Sequence, residues 1–144
     1  MLRNFGEVIP GKLYRCGKCQ AKELKEAILE YNIKRVVYLS ETKPFLSQKT
    51  YFKLDVTFKH IKVFEYVGLS QDILEQVIFP TITLIHCWKG SHRTGAVVAK
   101  LRQSQGWPNR NIWDEMQKFG FGKKEKHLAL YRSVFGDKDE NTFV

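Results

Sequence analysis

The hydrophobic positions of the chain follow two alternating periods. From Gln20 to Tyr31 (QAKELKEAILEY), Leu24, Ala27, Ile28 and Tyr31 recur at helical spacing with charges on the other face, which predicts an amphipathic helix. Ile33 to Leu39 (IKRVVYL) is a β-branched apolar run that reads as a buried strand. Pro44 breaks the chain before a weaker helical stretch near Phe45–Leu54. His60 to Glu65 (HIKVFE) sets Ile61, Val63 and Glu65 on one side of a second strand. Gly68 ends it, and Ser70 is placed to cap a helix running through Phe79 with Asp72 in its first turn. Thr81 to His86 (TITLIH) is a third strand, followed by a glycine-containing loop and a helical run Thr94–Gln105. After a break at Gly106-Trp107-Pro108, Asn109 can cap a helix to about Phe119, and a last helix covers Glu125–Phe135. The tail from Gly136 to Val144 is expected to be frayed.

Strands alternating with helices predict an α/β fold, a mainly parallel central sheet flanked by helices with right-handed crossovers. At 144 residues one domain spanning 1–144 is expected, with a core that needs no covalent staples. A hydrophobic share of 43% beside 27% charged residues excludes a disordered or fibrous chain. No apolar run approaches the roughly 20 residues that span a bilayer, so stable membrane insertion is not expected. The opening MLRNFGEVIPGK lacks an apolar core, so no secretory signal is expected there. Three cysteines, an odd number, fit a reducing cytoplasmic setting better than a disulfide framework. The net charge of +9 suits partners rich in phosphate, although basic residues scattered along a chain also serve solubility alone.

In parallel sheets ligands bind beyond the carboxyl ends of the strands, which directs attention to the loop His86-Cys87-Trp88-Lys89-Gly90-Ser91-His92-Arg93-Thr94-Gly95. A cysteine ends the strand, five residues intervene, and an arginine opens the helix. Five residues wrapped around one point can turn several backbone N–H groups inward as an anion-binding nest, to which the helix N-terminus adds its positive end. That cradle fits a tetrahedral phosphoryl group and favours the thiolate of Cys87. The guanidinium of Arg93 can grip two phosphoryl oxygens, a geometry lysine does not match. Gly90 suits the tight path, and Thr94 offers a hydroxyl near the sulfur. A lone cysteine after a strand is usually just a small buried hydrophobe. The joint placement of strand, His-Cys, Gly90 and Arg-Thr-Gly points instead to phosphoryl transfer through a phosphocysteine. The nucleotide P-loop needs Lys after its second glycine, whereas Lys89 precedes Gly90.

HCWKGSHRTG resembles the H-C-x5-R-[ST]-G signature of cysteine-dependent protein tyrosine phosphatases, and the length resembles their dual-specificity branch. The opening is similar to the F-x-x-V-x-x-G-x-[LI]-Y-R-S-G pattern of plant-and-fungal-type atypical dual-specificity phosphatases. Phe5, Val8, Gly11, Leu13, Tyr14, Arg15 and Gly17 match it, with Cys16 in place of Ser. Gln105, Trp107, Glu115 and Phe119 resemble that group's Q-x-W…E-Y-x-x-F helix. The resemblance implies Cys87 as nucleophile, Arg93 as phosphate clamp, and the backbone of Trp88, Lys89, Gly90, Ser91 and His92 as the cradle. It further implies that His86 orients the loop, that Thr94 assists loss of the phosphocysteine, and that Lys89 and His92 add positive charge at the mouth.

The family's general acid is usually an Asp some thirty residues upstream, and here the pattern departs. Asp55, 32 residues before Cys87, precedes the His60–Glu65 strand; Asp72, 15 residues before, sits in a first helical turn. Glu65, 22 residues before, falls at the carboxyl end of a strand on the edge that carries Cys87, so position orders the three as Glu65, Asp72, Asp55.

Cys16-Gly17-Lys18-Cys19 could bind zinc or cycle as a disulfide, but no second ligand pair exists and structural cysteines are expected, with no metal or cofactor. Arg15 either anchors the fold or lines the site, Trp88 is either a lip for an aromatic substrate or a cover for the adjoining helix, and Trp107 and Trp113 are expected to pack. The expected function is a phosphatase acting on phosphotyrosine or phosphoserine/threonine proteins. Inositol polyphosphates or pyrophosphates, and RNA 5′-triphosphates, are the alternative substrates. A non-catalytic phosphate-binding module is the alternative of another class.

Overall fold

The computed structural model describes residues 2–42, 53–78 and 80–144. The weaker helix expected near Phe45–Leu54 falls largely outside them, as does Phe79. A five-stranded sheet runs in the order β1-β2-β5-β3-β4, with β1 (Gly6–Ile9), β2 (Leu13–Cys16), β3 (Arg35–Ser40), β4 (Thr57–Lys62) and β5 (Thr83–His86). β2, β5, β3 and β4 are parallel, and β1 pairs antiparallel with β2. The central strand β5 is therefore flanked on both sides by parallel neighbours, and the ends of three strands converge where its loop begins.

Side-chain alternation sends each strand's apolar residues to two separate cores. Val36 and Leu84 face α1 (Ala21–Glu30), meeting Leu24, Ala27 and Ile28. Val37, Leu39 and Ile85 face α3 (Arg93–Ser104), α4 (Asn109–Lys118) and α5 (Leu128–Phe135), with α2 (Ile73–Val77) at the same layer. Each fully enclosed aliphatic side chain contributes roughly 1.5–3 kcal/mol. At α1, the Glu23 carboxylate accepts the Gln20 N–H at 3.3 Å, half of a capping box.

Several expectations are corrected. The N-terminal residues form a hairpin, β1 and β2, that no local period announced, because these strands are only four residues long. The strand expected at His60–Glu65 runs instead over Thr57–Lys62, in register with Arg35–Ser40, so Glu65 lies in the turn beyond it. Ser70 is not the cap of α2: the helix starts at Ile73 after Asp72, and Ile73 N–H reaches only the Ser70 carbonyl at 3.3 Å. Pro108, in extended conformation, precedes α4, with Asn109 as its first helical residue. The last helix is split into a 3-10 turn at Glu125–His127 and α5.

The tail is packed, not frayed. Phe143 is buried against Phe135 with ring centroids 4.6 Å apart, and Tyr131 Oη–H donates to the Lys138 carbonyl at 2.6 Å.

Arg102 is the main polar joint of the second core. From α3 it donates to both carboxylate oxygens of Glu115 on α4 (3.0 and 3.1 Å), to the Val8 carbonyl (3.1 Å) and to Gln105 Oε1 (3.1 Å). Its guanidinium lies 4.2 Å from the Trp107 ring centroid. Removing one partner of such an enclosed pair strands the other charge. Glu115→Ala is expected to cost about 3 kcal/mol in urea unfolding; a loss below about 1 kcal/mol would show that Val8 and Gln105 alone satisfy Arg102.

Candidate active site

The loop from Cys87 to His92 leaves the end of β5 and enters α3 at Arg93. Its carbonyls are held from behind by the N-terminal segment. Lys18 N–H donates to Trp88 O at 2.6 Å, Asn4 Nδ2 to Lys89 O at 3.2 Å, and Arg15 Nη2 to Gly90 O at 2.8 Å. Among the described residues, no backbone amide from Trp88 to His92 donates to a backbone carbonyl. These amides stand at the head of α3, where the helix adds its positive end.

The loop path also depends on glycine. Gly90 has φ +76°, and a Cβ there would lie 2.7 Å from Gly17 N and 2.8 Å from Cys16 C. Reciprocally, a Cβ on Gly17 would lie 2.6 Å from Lys89 O, so the two backbones touch directly. Arg15 is buried under this contact and stacked 3.8 Å from the Phe119 ring centroid, which assigns it the anchoring role. Burial lowers its pKa to about 10, partly opposed by Glu115 and by the charge of Cys87, so it remains a cation behind the loop at neutral pH. Cys16 and Cys19 lie in the same support, buried and reduced with sulfurs 3.4 Å apart. Among the described residues, no three His, Cys, Asp or Glu side chains group as a metal site.

In front of the loop opens a cavity of about 300 Å³. Cys87, Trp88, Lys89, His92, Arg93 and Glu65 all line it. Trp88 is half-exposed at its rim with Lys18 Nζ 4.1 Å from its ring centroid, making it a lip of the cavity and not a cover for the helix. Arg93 is positioned through Nε, which donates to Val63 O at 3.1 Å, and its Nη2 lies 3.5 Å from Glu65 Oε1 and 3.8 Å from Glu41 Oε1. Ser91 and Gly90 are buried within the loop. Thr94 Oγ1 and His86 Nδ1 are buried with no partner among the described residues. His86 stacks on Tyr38 with centroids 4.7 Å apart, and burial lowers its pKa to about 4.

Of the three acid candidates, only Glu65 reaches the cavity. Asp55 precedes β4 at the opposite edge of the sheet, its side chain 97% exposed and 3.7 Å from Lys34. Asp72 sits exposed at the start of α2, its carboxyl held below the usual range by hydrogen bonds from Ser70 and Gln76. Sequence spacing missed Tyr38, Ser40, Lys126 and His127, which also line the cavity, and Glu41 beside Arg93. The basic cluster Lys123, Lys124 and Lys126 was the one available signal for that wall.

A model of the tyrosine phosphatase family matches residues 1–142. The chain belongs to that family. This phosphatase is 30% identical over 149 aligned positions to the inositol diphosphatase DSP2 of Oryza sativa subsp. japonica, covering 92% of this chain and 69% of the relative. It is 45% identical over 56 positions to the inositol diphosphatase SIW14 of Saccharomyces cerevisiae, covering 39% of this chain and 20% of that one. The catalytic core of the S. cerevisiae PP-IP phosphatase SIW14, solved with citrate, superposes with a TM-score of 0.78 at 25% identity, over 96% of this chain and 88% of that one. P. aeruginosa TpbA shares the fold, with a TM-score of 0.75 at 23% identity over 96% and 87% of the two chains. The likenesses place the phosphatase in the atypical cysteine-dependent dual-specificity group and bear out the mainly parallel α/β fold.

Two predictions follow from the loop and its supports. Gly90→Ala forces a left-handed backbone and a backbone clash, so vanadate affinity should fall at least about tenfold while the far-ultraviolet spectrum persists; unchanged affinity would mean that the loop can shift freely. His86 has a folded pKa near 4 against 6.5 unfolded, so its contribution is present above pH 6.5 and lost as pH falls toward 4. Urea unfolding should show about 3 kcal/mol of that loss in wild type and not in His86→Gln. Parallel pH dependences in the two would refute the assignment.

Proposed function

We propose that this phosphatase removes the terminal phosphoryl group from a diphosphate carried on an inositol polyphosphate. The observation that carries the reading is the wall of the cavity around Cys87, where Lys89 and Lys126 join Arg93. A substrate carrying several phosphates is attracted by such a wall more strongly than one carrying a single phosphate. The likeness to the rice inositol diphosphatase over most of the chain supports the same substrate class.

In the proposed mechanism the Cys87 thiolate attacks the terminal phosphorus, forming an S–P bond as the P–O bond to the leaving phosphate breaks. Backbone amides from Trp88 to His92 and the Arg93 guanidinium hold the three equatorial oxygens, whose charge they match in the transition state. Glu65 gives its proton to the leaving oxygen, then takes one from the water that hydrolyses the phosphocysteine. The unpartnered Thr94 hydroxyl serves the sulfur as it leaves phosphorus, and neutral His86, packed on Tyr38, fixes the start of the loop. A second reading, phosphotyrosine protein, is favoured by the aromatic side chains Tyr38 and Trp88 on the cavity wall.

Phosphate release with chelator present, on an inositol diphosphate and a phosphotyrosine peptide side by side, separates the two. The inositol compound is expected to turn over at least about tenfold faster, with Cys87→Ser abolishing turnover but keeping affinity. A faster peptide would select the second reading, and release by wild type no greater than by Cys87→Ser would end the enzymatic one.

A further inference from the structure

Beside the loop the cavity holds an arrangement of side chains that the mechanism above leaves unused. His127, from the 3-10 turn before α5, is buried and lines the cavity. Its Nδ1 lies 3.1 Å from the Gly122 carbonyl, which can only accept, so Nδ1 carries a proton and Nε2 is the atom that gains or loses one. Nε2 faces Glu65 Oε1 at 4.0 Å. The ring cannot turn away, because it is stacked on His92 with centroids 3.4 Å apart and planes 7° from parallel. His92 is fixed by the same glycine, its Nε2 accepting the Gly122 N–H at 3.2 Å. One residue thus sets the tautomers of both rings and aims a single titrating nitrogen at the acid.

Resting on the reading of Glu65 as the leaving-group acid, we propose that His127 is its positioning residue and shares with it the proton delivered in the reaction. Glu65 Oε1 stands between Arg93 Nη2 at 3.5 Å and His127 Nε2 at 4.0 Å, in hydrogen-bond contact with neither. Turning Arg93 onto a phosphoryl group releases Oε1 on that side, and a shift of about 1 Å closes it onto Nε2. As the P–O bond breaks, the one shared proton passes from Oε1 to the leaving oxygen, which leaves Glu65 a carboxylate and His127 a neutral imidazole. Water attack on the phosphocysteine returns one proton along the same line.

The titratable and charged groups facing His127 are Glu65 from the turn after β4, His92 at the start of α3, and Lys124 and Lys126 from its own segment. Burial pulls the imidazole below its ordinary range, with Glu65 and the Gly122 carbonyl pulling the other way. An incoming phosphoryl dianion adds to the side of the proton. Imidazole releases its proton about two units higher than a carboxyl group in water, so a proton shared by the pair is held to higher pH than one on a carboxyl alone.

The test compares phenyl phosphate, whose leaving group needs a proton, with para-nitrophenyl phosphate, whose leaving group does not. His127→Asn keeps a donor for Gly122 but has no atom at Nε2. It should lower kcat on phenyl phosphate roughly tenfold while staying within about twofold on para-nitrophenyl phosphate. The alkaline limb of the phenyl phosphate profile should move to lower pH, and the Glu65→Gln/His127→Asn double variant should be no slower than Glu65→Gln alone. Equal losses on both substrates with an unmoved limb, or additive losses in the double variant, would overturn the proposal. If Glu65→Gln itself costs nothing on phenyl phosphate, the acid assignment falls and this inference with it. If Glu65→Gln is slow but His127→Asn behaves as wild type, only this inference falls. Should His127→Asn fail to fold by circular dichroism, His127→Gln, which reaches Glu65 with an amide that does not titrate, undergoes the same comparison.

Discussion

The site depends on one constraint: the carbonyls of the loop after β5 must be satisfied from behind so that its amides stay free in front. Lys18 N–H, Asn4 Nδ2 and Arg15 Nη2 meet the carbonyls of Trp88, Lys89 and Gly90 in turn. A net hydrogen bond in a protein stabilises by only about 1 kcal/mol, but a buried carbonyl left unpaired costs more than that. The loop therefore has strong reason to keep its carbonyls turned toward the hairpin. Gly17 and Gly90 make this possible, since a side chain at either would separate the two backbones.

The support extends through the rest of the fold. Arg102 joins the Val8 carbonyl of β1 to Glu115 of α4, so the hairpin that holds the loop is itself fixed to α3, the helix that the loop enters. At the other end of α3, Arg93 Nε holds the Val63 carbonyl just beyond β4. This places the outer guanidinium nitrogens of Arg93 beside Glu65 in the turn that follows, so two residues far apart in the chain become neighbours through one backbone contact. Arg15 shows the cost of such a support: burial lowers its pKa, and Gly90 O and the Phe119 ring offset the lost hydration.

The basic balance of the chain acquires meaning only in the folded state. Lys123 is engaged by Glu140 at 2.6 Å, while Lys89 and Lys126 line the cavity. The cations are met there by Glu65, with Glu41 beside Arg93, so the same wall can attract phosphate and hold an acid. The stacked imidazoles of His92 and His127 lie within this field. Burial, mutual repulsion and nearby lysines lower the His92 pKa to about 4, leaving it neutral at pH 7 as a platform for its neighbour.

What the sequence determined by itself was everything governed by neighbours along the chain. The periodicity of Leu24, Ala27 and Ile28 specified α1, the run Val36–Leu39 specified a buried strand, and the stretch from Cys87 to Arg93 was legible as a loop between a strand and a helix. The motif residues Gln105, Trp107 and Glu115 were legible as a pattern, but their common partner Arg102 was not. Tertiary structure decided what depends on contacts between distant segments. The four-residue strands β1 and β2 acquire their identity from pairing, Asn4 and Arg15 act on residues 75 to 115 positions away, and Phe143 is held by a ring on α5. That Glu65 lines the cavity while Asp55 and Asp72 do not likewise rests on where each lies relative to the sheet, and the approach of His127 rests on a turn docked beside the cavity. Local propensity acts within a few residues of the chain, whereas an imidazole and a guanidinium are each brought within 4.0 Å of one carboxyl group only when the strands and helices that carry them have packed.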